Sequence, residues 1–363
     1  MINWQKHLLT VIACGPALLA AQETSGTLKS LRGLTTLERD GVKRPARPGE
    51  TLLAKDRIIT GKDGFVSLVF RDQSALAIGP HSDVDLSKFS FNPTTHQGEQ
   101  QVRVRSGSLA AISGKLAKAS PEQIQFNTGS VTLGVRGTQF VLEVQAQAKP
   151  SSSILWRDSQ QQILLAVDGL CWQSGASPGG CPVQPEPDRF VLLPDRDGRV
   201  GAITLSKPGK SIVVQEAYAG VEVQEQEMRS TQFSVSNVGS RYNDLLAKLP
   251  PAPQTFVVRF AIGSALQITP DSQAVIEQVK VALAGWGVLP NVDVVGHTDT
   301  VGQMAQNDAL SLQRAAAVSR WLDSAAVAPD RVHISGRGER QLLAPTPDET
   351  PEPLNRRVEI TVY

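Results

Sequence analysis

Two charged side chains, Asp299 and Arg314, are spaced in a way that could do chemistry. The segment "VVGHTDTVGQMAQNDALSLQRAAAVSRWL" fills residues 294–322. If its second half is helical, Leu310, Arg314, Val318 and Leu322 fall on one stripe at four-residue spacing. Leucine and valine suit a core, but a guanidinium cannot shed its charge there and needs an anionic partner or an anionic ligand. The obvious candidate is Asp299, fifteen positions earlier (314 − 299) and just past the strand-like "VDVV", where loops at strand ends collect binding groups. If the two touch, they form a bridge that steadies the loop. Held slightly apart they would clasp a zwitterion, the carboxylate taking an ammonium and the guanidinium forking onto a carboxylate.

Positioning such a pair requires a small sheet with helices behind it, and the sequence predicts one over 254–363. "TFVVRF" reads as a strand. "TPDSQAVIEQVKVALAGWG" opens with Thr269 as N-cap, Pro270 at the first helical position and Asp271 in the first turn, then sets Val275, Val279 and Leu283 at helical spacing. "NVDVVGH" is a strand, "NDALSLQRAAAVSRWLDSA" a helix, and "RVHISGRG" and "NRRVEITVY" are strands. The order β-α-β-α-β-β describes an α/β sandwich.

The pattern Gly-His-Thr-Asp-x2-Gly-x4-Asn-x2-Leu-Ser-x2-Arg-Ala-x2-Val from Gly296 to Val318, with "NRRVEI" near the C-terminus, resembles the OmpA-like peptidoglycan-binding domain of the OmpA, Pal and MotB kind. The resemblance implies a pocket for the diaminopimelate of the stem peptide. Asp299 would take the ammonium at the end of that side chain and Arg314 its carboxylate. Thr298 and Asn307 would line the loop, and Arg356 would contribute from the last strand. Two departures stand out. Phe260-Ala261 replaces the usual Phe-Asp pair after the first strand, and the closing strand is preceded by the proline- and acid-rich "GERQLLAPTPDETPEP". His297 is read as ordering the loop, without a chemical role.

Upstream, short apolar runs punctuated by turns predict an all-β domain over 31–145. In "GFVSLVFRDQSALAIGP" both faces of the strand are largely apolar, as in a strand covered on two sides. Asp56, Thr60-Gly61, the Phe-x-Asp-x-Ser turn from Phe70 to Ser74 and the Val-Arg-Gly-Thr-x-Phe segment from Val135 to Phe140 make this region similar to the FecR-type β domain. From that resemblance only a β module that binds something is carried over. The residues of "GVRGT" read equally well as turn chemistry and packing. Residues 146–224 continue the β texture, as one enlarged domain or a smaller appended one. Residues 225–253, polar and ending in "KLPPAPQ", read as a proline-stiffened linker.

The first 21 residues, with Lys6 and His7 ahead of an apolar run from Leu8 to Ala20, read as an export signal too short for a comfortable membrane span. Cys14 in "VIACG" stands either as a lipidation site or as a small residue of the signal core. In an oxidising compartment Cys171 and Cys181 would close a Gly/Ser/Pro loop by a disulfide, since two thiols with no histidine nearby do not complete a zinc shell. A net charge of +1, from 36 basic and 35 acidic residues, and 5% aromatics give no sign of nucleic-acid binding. No G-x-S-x-G or H-E-x-x-H motif is present and the 5 histidines are scattered, so no enzyme, metal or cofactor is expected. The expectation is an exported envelope protein of the periplasm, wall-bound and outer-membrane associated. Its C-terminal domain would hold peptidoglycan, and its β domain would present a binding surface to an envelope protein. The alternative is a sensor whose β domain is the active part and is only positioned by the wall.

Overall fold

A computed structural model describes residues 24–146, 155–157, 163–165, 186–224, 227–286, 290–322 and 327–363. The export signal, Cys14 and the Cys171–Cys181 loop lie outside the described residues. No helix among the described residues is long and apolar enough to cross a membrane.

The N-terminal part is a two-sheet β structure around one core. Its longest strand, Gly98–Ile112, belongs to both sheets. One half pairs with Asp83–Phe91 and lies parallel to Ile124–Asn127, while the other pairs with Ala75–Ile78 and Gln139–Val144. The strand turns between sheets at Gly107, whose φ of +92° favours glycine and which packs directly on Ser82. Phe65–Phe70 and Ala75–Ile78 are buried at every position, because one face meets the inter-sheet core and the other is covered by further elements. The inter-sheet core includes Leu28, Leu68, Val104, Phe140, Phe190 and Ile203, all essentially without exposure.

The strands after residue 185 complete these sheets and form no separate unit. Asp188–Leu193 pairs with Gln139–Val144, and Ala202–Lys207 with Thr132–Arg136. Two expectations need correction here. The domain does not begin at residue 31: Thr24–Arg32 is a strand paired with Phe65–Phe70, so residues 24–30 already belong to the sheet. Residues 225–253 are not simply a linker. Glu227–Gln232 forms a hairpin with Ala219–Gln224. Val235–Leu246 is a helix, N-capped by Ser234, whose hydroxyl accepts from the Asn237 amide. Its buried Val238, Tyr242 and Leu245 sit on the back of the sheet against Phe65, Ala77, Ala110, Val141 and Val191. Val238, Tyr242, Leu245 and Leu246 fall at helical spacing, a signal present in the sequence that the polar composition and the proline cluster after it overshadow when the stretch is read as a linker.

The C-terminal part has a four-stranded sheet in the spatial order Gln254–Arg259, Arg357–Val362, Val292–Gly296, Val332–Gly336. Helices Pro270–Gly285 and Met304–Leu322 cover one face, and Val258, Val279, Val294, Val318 and Ile360 form the core between. The other face is covered along its central strand. Every residue of Val292–Gly296 is buried, because the outer face of this sheet rests on the N-terminal β domain. The Tyr363 ring packs with Val69 and Ala75, the Lys29 ammonium donates to the Tyr363 carbonyl at 2.9 Å, and Asn291 hydrogen-bonds to Thr27.

Candidate functional site

Two glycines set the geometry. Gly296 and Gly336 end neighbouring parallel strands and face the helix Met304–Leu322. A Cβ at Gly296 would run into the Ser311 carbonyl, and one at Gly336 would lie 2.7 Å from the Leu312 nitrogen. Without side chains there, the helix lies directly on the strand ends and carries Arg314 to the segment 297–299. The stripe expected from the sequence is present: Arg314, Val318 and Leu322 are buried with Asn307, Ser311 and Ala315, and Leu310 flanks them half-buried.

Arg314 is 1% exposed and forms no ion pair among the described residues. Its Nε donates to the Ser264 carbonyl at 2.9 Å and its Nη1 to the His297 carbonyl at 3.1 Å. The guanidinium stacks over the Phe260 ring, 5.3 Å from the centroid. Nη2 has no hydrogen-bond partner among the described residues. Burial lowers the guanidinium pKa to about 10, with Asp299 raising it and Arg356 lowering it further, so the group remains a cation at neutral pH.

Asp299 faces the same pocket but is joined to Arg356, whose Nη1 donates to Oδ2 at 2.9 Å; the Glu352 amide donates to the same oxygen at 3.3 Å. Asp299 and Arg314 are therefore brought near each other without touching. The site holds two buried cations, Arg314 and Arg356, against one buried carboxylate. Thr298 is buried, its amide donating to the Gly338 carbonyl at 2.9 Å while its hydroxyl has no partner among the described residues. Asn307 is committed to the loop: its Nδ2 donates to the Val301 carbonyl at 3.2 Å and to Glu339 at 2.6 Å. His297 is fully buried and neutral, its pKa lowered to about 3 by burial and then by Arg357 and Arg337.

The proline- and acid-rich loop before the closing strand folds over this site. The Thr300 hydroxyl donates to the Pro347 carbonyl at 2.7 Å, the Glu349 amide to the Thr300 carbonyl at 2.9 Å, and the Gly302 amide to the Glu349 carboxylate at 3.1 Å. Asn355 anchors its base, its Oδ1 accepting from the Leu343 and Ala344 amides. Sequence reasoning missed Ser264, the Glu352 amide, Glu339 and the Phe260 ring as parts of the site. Two of these act through backbone groups, which residue types do not advertise.

Residues 259–356 match the OmpA family and residues 56–157 match the FecR protein family. Outer membrane porin F of Pseudomonas fluorescens is 43% identical over 72 residues, 20% of this chain and 22% of that protein. Outer membrane protein A of Bordetella avium is 30% identical over 120 residues, 32% of this chain and 61% of that protein. In both cases less than two thirds of the relative's length is covered. Among solved structures, the peptidoglycan-associated lipoprotein of Burkholderia pseudomallei aligns at 26% identity over 30% of this chain and 90% of that one, with a TM-score of 0.27. The chain thus carries a FecR-type domain over 56–157 and an OmpA-family domain over 259–356.

Proposed function

We propose that the C-terminal domain binds peptidoglycan non-covalently and tethers the β domain to the cell wall. The ligand group is the diaminopimelate of the stem peptide. The observation that carries this reading is Arg314, a buried permanent cation with one terminal nitrogen unpaired and no carboxylate of its own. Such a group is costly to retain unless an anion completes it. A ligand carboxylate bridging Arg314 and Arg356, with its ammonium on Asp299, would give Arg314 the anion it lacks and each charge of the ligand a partner of opposite sign. The OmpA-family match and the two outer-membrane relatives support an envelope location, periplasmic and wall-associated. A purely structural role fits poorly, since Asp299 pairs with Arg356 and leaves Arg314 out.

The test is co-sedimentation of the purified protein with diaminopimelate-type sacculi, wild type beside Arg314→Met. Binding by wild type and loss in the folded variant is the expected result; equal binding by both would remove the proposal. A second reading, envelope sensing through the β domain, is favoured by the FecR match and by the close packing of the two domains. On that reading, deletion changes transcription, whereas a tether alone changes envelope integrity.

A further inference from the structure

We propose that the β domain is a positioning partner of the Asp299–Arg314 site, gripping the turn that holds this site through Arg337, so that ligand binding and domain docking are energetically linked. The proposal rests on the peptidoglycan reading and adds to it a regulation that neither domain carries alone.

Arg337 is the hinge of the argument. It follows the strand Val332–Gly336, and its amide donates to the Gly296 carbonyl at 2.9 Å, which fixes its backbone to the strand end that leads into Asp299. Its side chain crosses to the β domain and is buried there, donating to the Pro93 carbonyl and to the His96 Nε2. The His96 imidazole is neutral, its pKa lowered to about 4 by burial and by Arg337, and so has a lone pair to offer. The residues after Arg337 hold the site. The Gly338 carbonyl accepts from the Thr298 amide, the Gly338 amide donates to the Ser311 hydroxyl at 2.9 Å, and Glu339 accepts from Asn307. One turn therefore has the β domain on one side and the candidate ligand site on the other.

The contact from the β domain is stiff. In the hairpin loop 92–97, Asn92 Oδ1 accepts from the Thr94 and Thr95 amides, and the His96 amide donates to the Asn92 carbonyl at 2.8 Å. His96 is held in the left-handed region at φ +60° and stacks on Phe91. A second anchor lies lower on the central strand. Asp293 accepts from Gln73 at 2.8 Å, from Lys115 at 3.3 Å and from the Tyr363 hydroxyl at 2.9 Å. Gln73 and Lys115 belong to the β domain, so the strand that feeds Asp299 is clamped to it twice. A ligand that needs the turn in this arrangement must bind the docked form more tightly, and by reciprocity it must strengthen docking.

The test leaves the C-terminal domain untouched. In the full chain, Gln73→Gly, Lys115→Ala and His96→Gly are combined; glycine suits the left-handed positions 73 and 96. Affinity for a soluble diaminopimelate-containing stem tripeptide is measured by calorimetry. Hydrogen exchange at the Asn92 and His96 amides is followed in the wild type with and without the tripeptide. The expected result is about tenfold weaker binding by the variant, within the about 5–150-fold range of allosteric coupling, and slower exchange at both amides when the wild type is liganded. Equal affinity together with unchanged exchange at 92–97 overturns the linkage while leaving the peptidoglycan reading in place. Failure of the wild type to bind the tripeptide overturns both. Should the triple variant not fold, the exchange measurement on the wild type decides alone.

Discussion

Asp299 and Arg314 would be grouped together by a simple motif reading, but the structure predicts different stability consequences for removing each. Asp299→Asn deletes the one carboxylate that balances Arg356, leaving two buried cations, 6% and 1% exposed, without a paired anion. Breaking a buried pair from one side costs about 3–5 kcal/mol. With a urea m-value of about 1–3 kcal/mol/M the midpoint should fall by at least about 1 M. Arg314→Met removes a cation that has no ion pair. The Ser264 carbonyl lies on a partly exposed loop and can turn to water, while the buried His297 carbonyl loses its donor at a cost of about 1–3 kcal/mol. Relief of the desolvated charge and packing of methionine on the Phe260 ring offset part of this, so the net change should stay within about 2 kcal/mol. Binding should fall in both variants, since Asp299 would hold the ligand ammonium, but in Arg314→Met it falls without a matching loss of stability: loss of a charge-assisted contact to a carboxylate costs about 2–5 kcal/mol, at least about 30-fold in affinity. Urea unfolding followed by tryptophan fluorescence, with calorimetric titration of the stem tripeptide into each variant, reads both quantities. If Arg314→Met is as destabilised as Asp299→Asn, or binds as wild type does while folded, the account of Arg314 as a ligand cation is wrong.

Three further outcomes follow from the packing. Gly296→Ala should destabilise the C-terminal domain by about 1–3 kcal/mol or more, because its methyl group meets the Ser311 carbonyl of the covering helix; thermal unfolding of this variant near the wild-type temperature would refute that close approach. Leu245→Ala should cost about 2–5 kcal/mol in the unfolding of the β domain, since the helix Val235–Leu246 packs on its sheet; an unchanged midpoint would return this stretch to a linker. Lys29 is buried at the domain junction, and burial followed by Arg331 lowers its pKa to about 7 from the model-peptide value of 10.5. Between those two pH values the unfolded chain binds the extra proton, so Lys29 makes stability rise with pH across that window and lowers it on the acid side. Lys29→Met should remove up to about 1.4 kcal/mol per pH unit of slope between about pH 7 and 10, seen as wild-type and variant urea midpoints that converge with rising pH; parallel curves would show that the ammonium does not feel its burial.

The sequence by itself determined the pieces whose physics is local. Periodicity, with the Thr269-Pro270 start for the first, placed one helix over 270–285 and another from Asn307, which in the structure begins three residues earlier at Met304, because a 3.6-residue stripe needs no knowledge of what lies opposite. The largely apolar run at 65–70 announced a strand covered on both faces, and a guanidinium on the stripe marked position 314 as unusual. The tertiary structure decided everything that depends on which surfaces meet. Residues 24–32 are polar enough to read as a lead-in, yet hydrogen bonding to Phe65–Phe70 makes them a strand, a partner distant in sequence that no local pattern names. The stretch 235–246 carries its apolar residues at helical spacing among serine and asparagine, and it holds as a helix because the back of the sheet offers Val141 and Val191 to cover; propensity alone would not hold it. Asp299 and Arg314, fifteen positions apart, were read as facing groups, but only the fold shows that Arg356 takes the carboxylate and that backbone carbonyls hold the guanidinium. The docking of the two domains through Asp293, Arg337 and Tyr363 left no mark in composition or periodicity. A polar interface built from single side chains of several strands, each reading as an ordinary sheet residue, becomes visible only when the strands are assembled.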